Sequence, residues 1–126
     1  MLLDLLRKRG SARSFRDRPV APEILTRLLD AVRYAPSAFN SQPWRFVLLE
    51  STDLLTDVLS DGNDWVLQAP AVIVVYREAQ SSSFNIGLAV QNLLLAATEQ
   101  GIVQVGKELE NALSHRLLFP HAQTYR

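Results

Sequence analysis

The sequence predicts an α+β fold, a small sheet layered with helices, on three observations. Apolar residues recur at helical spacing over residues 24–32 and again, almost without interruption, over residues 86–97. Two short runs, at 45–50 and 71–76, carry the β-branched and aromatic content of strands. These strands and helices interleave along a chain of 126 residues, a length at which one domain buries roughly two-thirds of its unfolded surface. A single domain over residues 1–126 is therefore expected.

Leu2, Leu3, Leu5 and Leu6, followed by Arg7, Lys8 and Arg9, predict a short first helix whose cationic end suits its C-terminal dipole, with Gly10 as its stop. Pro22 at the first position and Glu23 in the first turn open a second helix that keeps its spacing to Tyr34. Pro36 ends it by disfavouring helical geometry at Ala35. Pro43 resets the chain for a strand over 45–50, after which a helix over 52–59 and a turn at Asp61, Gly62 and Asn63 are expected. The run AVIVVY at 71–76 predicts a strand buried on both faces. Asn85 is read as the N-cap of a third helix that runs to about Gln100, where Gly101 stops it. That helix is apolar almost all round and needs cover on every side, which a second copy of the chain would supply. A last helix is expected over 107–118, and FPHAQTYR, at 119–126, reads as irregular. Two strands rarely make a self-sufficient sheet, so either a further strand, near Val103 to Val105, or a partner completes it.

Composition narrows the classes of function. Lysines and arginines, 13 together, balance 13 acids, so the whole molecule has no pull toward nucleic acid or an anionic membrane. The absence of cysteine removes disulfides, iron–sulfur ligation and thiol catalysis and fits a reducing cytoplasm. The first residues place charge after a short apolar stretch, the reverse of a secretory signal, and Gln91 and Asn92 interrupt the longest apolar segment. A soluble cytoplasmic protein is expected.

Two segments carry chemistry. Residues 7–20 set Arg7, Lys8, Arg9, Arg13, Arg16 and Arg18 against Asp17 alone. Gly10 and Ser11 between Arg9 and Arg13 form a small-residue turn flanked by guanidinium forks, a pattern suited to a phosphate. The second segment, APSAFNSQPWRFVLLE at 35–50, gathers Ser37, Asn40, Ser41 and Gln42 in a helix-to-strand connection and reads as a ligand-facing corner. Trp44 beside it is either core, as single tryptophans more often are, or one wall of a pocket for a flat ring. His115 and His121 have no metal-ligand spacing, and neither a Ser-His-Asp order nor a close carboxylate pair is found. No catalytic side chain is assigned, and this combination implies a bound cofactor that performs the chemistry itself.

RGSARSFRDRPV, LLDAVRYAPSAFNSQPWRFVLL, QAPAVIVVY and NIGLAVQNLLLAATEQGI together resemble the nitroreductase family of flavin enzymes, over most of the chain up to about Gly101. The resemblance implies an α+β fold with a small, mainly antiparallel sheet flanked by helices, an intertwined homodimer, and FMN at the subunit interface. It implies reduction by NADH or NADPH and then of a nitroaromatic, quinone or similar electron-poor acceptor, in ping-pong order. Carried over by motif position, Arg9 and Ser11 would hold the phosphate and ribityl chain, Gly10 would allow close approach, and Arg13 would lie near the flavin N1 and O2 edge. Pro36, Ser37, Ala38, Asn40 and, more weakly, Gln42 would come from the other subunit. No metal is implied. The chain departs from the family in its shortness, in a final segment expected to lack the closing strand and phosphate-gripping cations, in a short stretch between Tyr76 and Asn85, and in Asn85 where the family has aspartate. A different class of reading keeps the dimeric scaffold with weak or no flavin binding, as a binding or interaction protein.

Overall fold

A computed structural model describes residues 1–49, 51–56, 64–77, 81–102 and 123–125. Helix α1 (Leu2–Lys8) carries Asp4 in its first turn, where the carboxylate meets the N-terminal ammonium at 3.2 Å, and Arg7 and Lys8 in its last. It ends because Arg9 turns extended, at φ −58° and ψ 124°. The expected stop at Gly10 is therefore corrected: that residue has no left-handed φ, and the helix has already terminated one residue earlier.

Helix α2 (Pro22–Val32) begins on Pro22 as expected and closes at Arg33, two residues short of Ala35. Helix α3 (Ser83–Glu99) packs against it, and Asn92 Nδ2 donates to the Ala31 carbonyl at 3.1 Å across that interface. Its C-terminus has the double bond pattern of a left-handed cap: the Gly101 N–H donates to Thr98 O at 3.0 Å and the Ile102 N–H to Ala97 O at 2.9 Å. Gly101, at φ +72°, is where the absent Cβ is needed.

Strand β1 (Trp44–Leu49) lies at the centre of an antiparallel sheet of order β2-β1-β3, with β2 (Val72–Arg77) on one side and β3 (Gln123–Tyr125) on the other. Trp44 pairs with Arg77 and Leu49 with Val72, while Phe46 pairs with Tyr125 and Leu48 with Gln123. The third strand corrects two expectations at once. It falls inside the FPHAQTYR segment read as irregular, and it closes the sheet where a closing strand was expected to be missing. A three-residue strand holds too few residues to show periodicity and forms because β1 offers it a free edge.

Side chains alternate across the sheet and build a core on each face. On one face Trp44 and Phe46 meet Val32, Ala35 and Ala89, with Ile73 and Val75 from β2 beside them, so α2 and α3 cover this side. On the other, Val47, Leu49 and Val74 pack with Leu55, and Val66 and Leu67 lie against them. Two short 3-10 turns, Thr52–Leu55 and Asp64–Gln68, cover this second face where a helix over 52–59 was expected. The thin cover and the edge position explain why β2 is half-buried: Val74 alone is fully buried, although burial on both faces was expected.

The expected turn at residues 61–63, strand at 103–105 and helix at 107–118, along with His115 and His121, lie outside the described residues.

Candidate functional site

The basic segment leaves α1 at Arg9 and runs to Val20 without regular secondary structure. Among the described residues Lys8, Arg9, Arg13, Arg16 and Arg18 make no ion pair; Arg7 pairs with Asp4 at 3.6 Å. The segment is tied down through aromatic contacts instead. The Arg13 guanidinium carbon lies 5.4 Å from the Trp65 ring centroid, and Phe15 stacks on the same ring at 6.2 Å with 25° between planes. Trp65 thus clamps the segment to the turn that covers the second core face. The sequence holds no local signal for this, because the partners are fifty residues apart and meet only in the fold.

The corner is built differently. It starts from buried Ala35 and ends in buried Pro43 and Trp44, and between them the chain is exposed, apart from half-buried Ser37, and tightly bonded to itself. Ser37 is extended, and its Oγ accepts from the Gln42 N–H at 3.0 Å. Gln42 Nε2 donates to Asn40 Oδ1 at 3.0 Å. Inside this loop a 3-10 turn over Ala38–Asn40 is closed by the Asn40 N–H on Ser37 O and the Ser41 N–H on Ala38 O. Phe39, Asn40 and Gln42 have φ of +55°, +52° and +48°, a region that Asn tolerates and that Phe and Gln enter at a cost. Phe39 is also wholly exposed, at 104% of its reference area. No ring contact among the described residues explains a bulky aromatic in this conformation, and left-handed non-glycine residues concentrate at functional sites.

The polar side chains predicted to face a ligand are thus partly spent on the loop itself. Among the described residues Asn40 Nδ2 and Gln42 Oε1 retain free hydrogen-bonding capacity. Trp44 is settled as core: it is 3% exposed and packs with Val32, Ala35, Phe46 and Ala89. It borders a depression of about 370 Å³ between α2 and β1, lined also by Thr26, Leu29, Asp30, Val32, Arg33 and Phe46, which includes none of residues 9–20 and none of the loop residues 36–42.

Asn85 has a role that the sequence reading missed. Ser82 is the N-cap of α3, its hydroxyl accepting from the Phe84 N–H at 3.1 Å. Asn85, one turn in and buried, accepts the Ala38 N–H at 3.2 Å and so ties α3 to the corner. The serine run ahead of Asn85 was the available signal, since serine is as good a cap and stands first.

Within one chain no described hydrogen bond or ion pair joins residues 9–13 to residues 36–42. The structure therefore brings Ser37, Ala38, Asn40 and Gln42 together in one element and Arg9, Gly10, Ser11 and Arg13 in another.

Comparison with known proteins places these two elements in a known setting. A sequence model described as the Nitroreductase family matches residues 6–62, which include both. An iodotyrosine deiodinase of Thermotoga neapolitana is 30% identical over 134 aligned positions, covering 83% of this chain and 72% of that protein. A Methanothermobacter thermautotrophicus protein, provisionally named an NADH dehydrogenase/NAD(P)H nitroreductase, is 28% identical over 109 residues and 80% of this chain. The chain spans 57% of the length of that relative. Among solved structures, an iodotyrosine deiodinase bound to FMN and 3-iodo-L-tyrosine superposes with a TM-score of 0.77 at 25% identity, over 98% of this chain and 86% of that one.

Proposed function

The chain belongs to the nitroreductase family, and from that footing we propose that it is an FMN-dependent oxidoreductase that takes electrons from NADH or NADPH and passes them to an electron-poor acceptor. Nitroaromatics and quinones are the acceptor classes proposed, in ping-pong order. The observation that carries the reading is the basic segment: Lys8, Arg9, Arg13, Arg16 and Arg18 flank Gly10 along the sequence with no ion pair among the described residues. That is unspent charge suited to a phosphate.

Gly10 supplies a test of fit. Among the described residues, a Cβ built there meets nothing nearer than the Lys8 carbonyl oxygen at 4.0 Å. The fold itself does not require glycine here, and the open side leaves room for a ligand group to reach the backbone. The donor set suits FMN: in this reading Arg9 and Ser11 would hold the phosphate and ribityl chain, Gly10 would allow close approach, and Arg13 would supply a cation to the ring, where positive charge favours the negative charge of the reduced flavin. The flavin, when bound, supplies the two-electron chemistry. The chain orients and encloses it.

Pro36, Ser37, Ala38, Asn40 and Gln42 are proposed to reach the flavin from a second copy of the chain. Asn40 Nδ2 and Gln42 Oε1 would meet a ring system that carries both donors and acceptors. A homodimer is supported by the exposure of Met1, Leu2, Leu3 and Leu6 along α1 and of Phe84 at the start of α3. The names of relatives add support, an NAD(P)H nitroreductase among them and a solved flavoprotein superposing over almost the whole chain.

The test is spectroscopic. Purified protein should show flavin absorption or should quench FMN fluorescence on titration, bleach with NADH or NADPH, and recover its colour when a quinone is added. A colourless protein whose melting temperature and FMN fluorescence do not respond would instead leave the scaffold reading, a family member acting through protein contacts.

A further inference from the structure

Asn85 is the one buried polar residue among those described, 5% exposed, with Ile86 and Ala89 of the same helix packed into the apolar core. An amide in such a place is retained against an apolar residue of similar size only if its hydrogen bond matters. The helix does not need it, because Ser82 already caps α3. Its Oδ1 instead accepts the backbone N–H of Ala38, 47 residues away, at 3.2 Å.

That N–H opens the turn containing the left-handed residues. The other described side-chain bonds of the corner, Ser37 with Gln42 and Gln42 with Asn40, run within it and fix its shape. They do not fix where it sits. Between its buried ends, Ala35 on one side and Pro43 with Trp44 on the other, the Asn85 bond is the described side-chain hydrogen bond that ties it to another element.

We propose that Asn85 is a positioning residue that latches the corner to α3, so that the corner is already in place when flavin binds. This rests on the reading of the corner as part of a flavin site. Without the latch the corner keeps its internal bonds but moves as a unit, and binding must then order it.

The experiment uses the full chain, FMN as probe, and two readouts: the FMN dissociation constant from fluorescence, and hydrogen exchange of the Ala38 amide in flavin-free protein. Asn85→Ala should speed Ala38 exchange and weaken FMN binding, each by about tenfold. Asn85→Asp keeps an acceptor and should stay within about threefold on both. Ala38→Pro removes the donor while leaving Asn85 in the core, and Ser37 already has the extended geometry that precedes proline. It should weaken binding as Asn85→Ala does, and the double variant should be no worse than either alone. If Asn85→Ala does not fold, Ala38→Pro carries the test.

Unchanged Ala38 exchange in Asn85→Ala, or exchange that speeds while FMN affinity holds in both variants, overturns the latch. If wild-type protein binds no FMN, the flavin reading falls with its binding arm, and the exchange arm still decides whether Asn85 holds the corner.

Discussion

The basic segment over residues 9–20 and the corner over residues 36–42 are both irregular chain, yet the corner is closed on itself by four described hydrogen bonds and tied to α3 by a fifth, while the basic segment hangs chiefly from one aromatic ring. The difference follows from what each presents. A guanidinium reaches its ligand on a long side chain and finds it through charge, so the backbone behind it needs only a tether. A corner that offers backbone and short polar groups has no such reach and must be held where it is used. Holding it is costly: each left-handed L residue costs about 1 to 2 kcal/mol, and each hydrogen bond returns about 1 net. The two nearly cancel, so burial of Ala35 and Trp44 at the ends decides whether the corner forms.

The comparison breaks most visibly at that anchor. Trp44→Ala should destabilise the protein by about 3 to 5 kcal/mol in urea unfolding, because a nearly fully buried ring is lost from the core. A small loss would mean that the corner is held by its own bonds after all. On the other side, Arg9→Ala with Arg13→Ala should lower FMN affinity by roughly a hundredfold, at about 1.5 kcal/mol for each charge-assisted contact. The melting temperature of flavin-free protein should move by no more than about 5 °C, since neither cation has an ion-pair partner among the described residues and the fold loses only the exposed Arg13 contact with Trp65. A large melting shift would show that these side chains serve the fold.

Trp65→Leu sharpens the picture of the tether. A cation–π contact at an exposed site is worth about 0.5 to 1 kcal/mol, so FMN binding should weaken by about twofold to fivefold, and Trp65→Tyr should recover most of it. The smallest effect is expected at Phe39. Its side chain is wholly exposed, and Phe39→Gly relieves a left-handed side chain at some entropic cost, so stability should rise by about 0.5 kcal/mol. A fall in stability would mean that the aromatic ring is buried against a second copy in solution, and sedimentation would then show the dimer.

Helices α2 and α3 and strands β1 and β2 were legible because their patterns are long and bounded by clear signals, Pro22 at one start and Gly101 at one end. The ends read less well. Gly10 looked like a stop, yet the preceding arginine turned the chain first; Asn85 looked like a cap, yet three serines stood ahead of it. Strand β3 was invisible, since three residues have no period. The two candidate segments were legible as chemistry, being clusters of one residue type within a dozen positions. Their supports, Trp65 under Arg13 and Asn85 under Ala38, were not, because each support lies tens of residues from what it holds.

Composition, periodicity and punctuation along the chain thus settled which elements form, which faces are apolar and where charge and amide groups gather, all consequences of neighbours in sequence. Folding settled which edge β3 would find, which turn would cover the second core face and which buried amide would meet the corner. Those outcomes depend on contacts between distant residues, and a contact between distant residues has no local pattern to announce it.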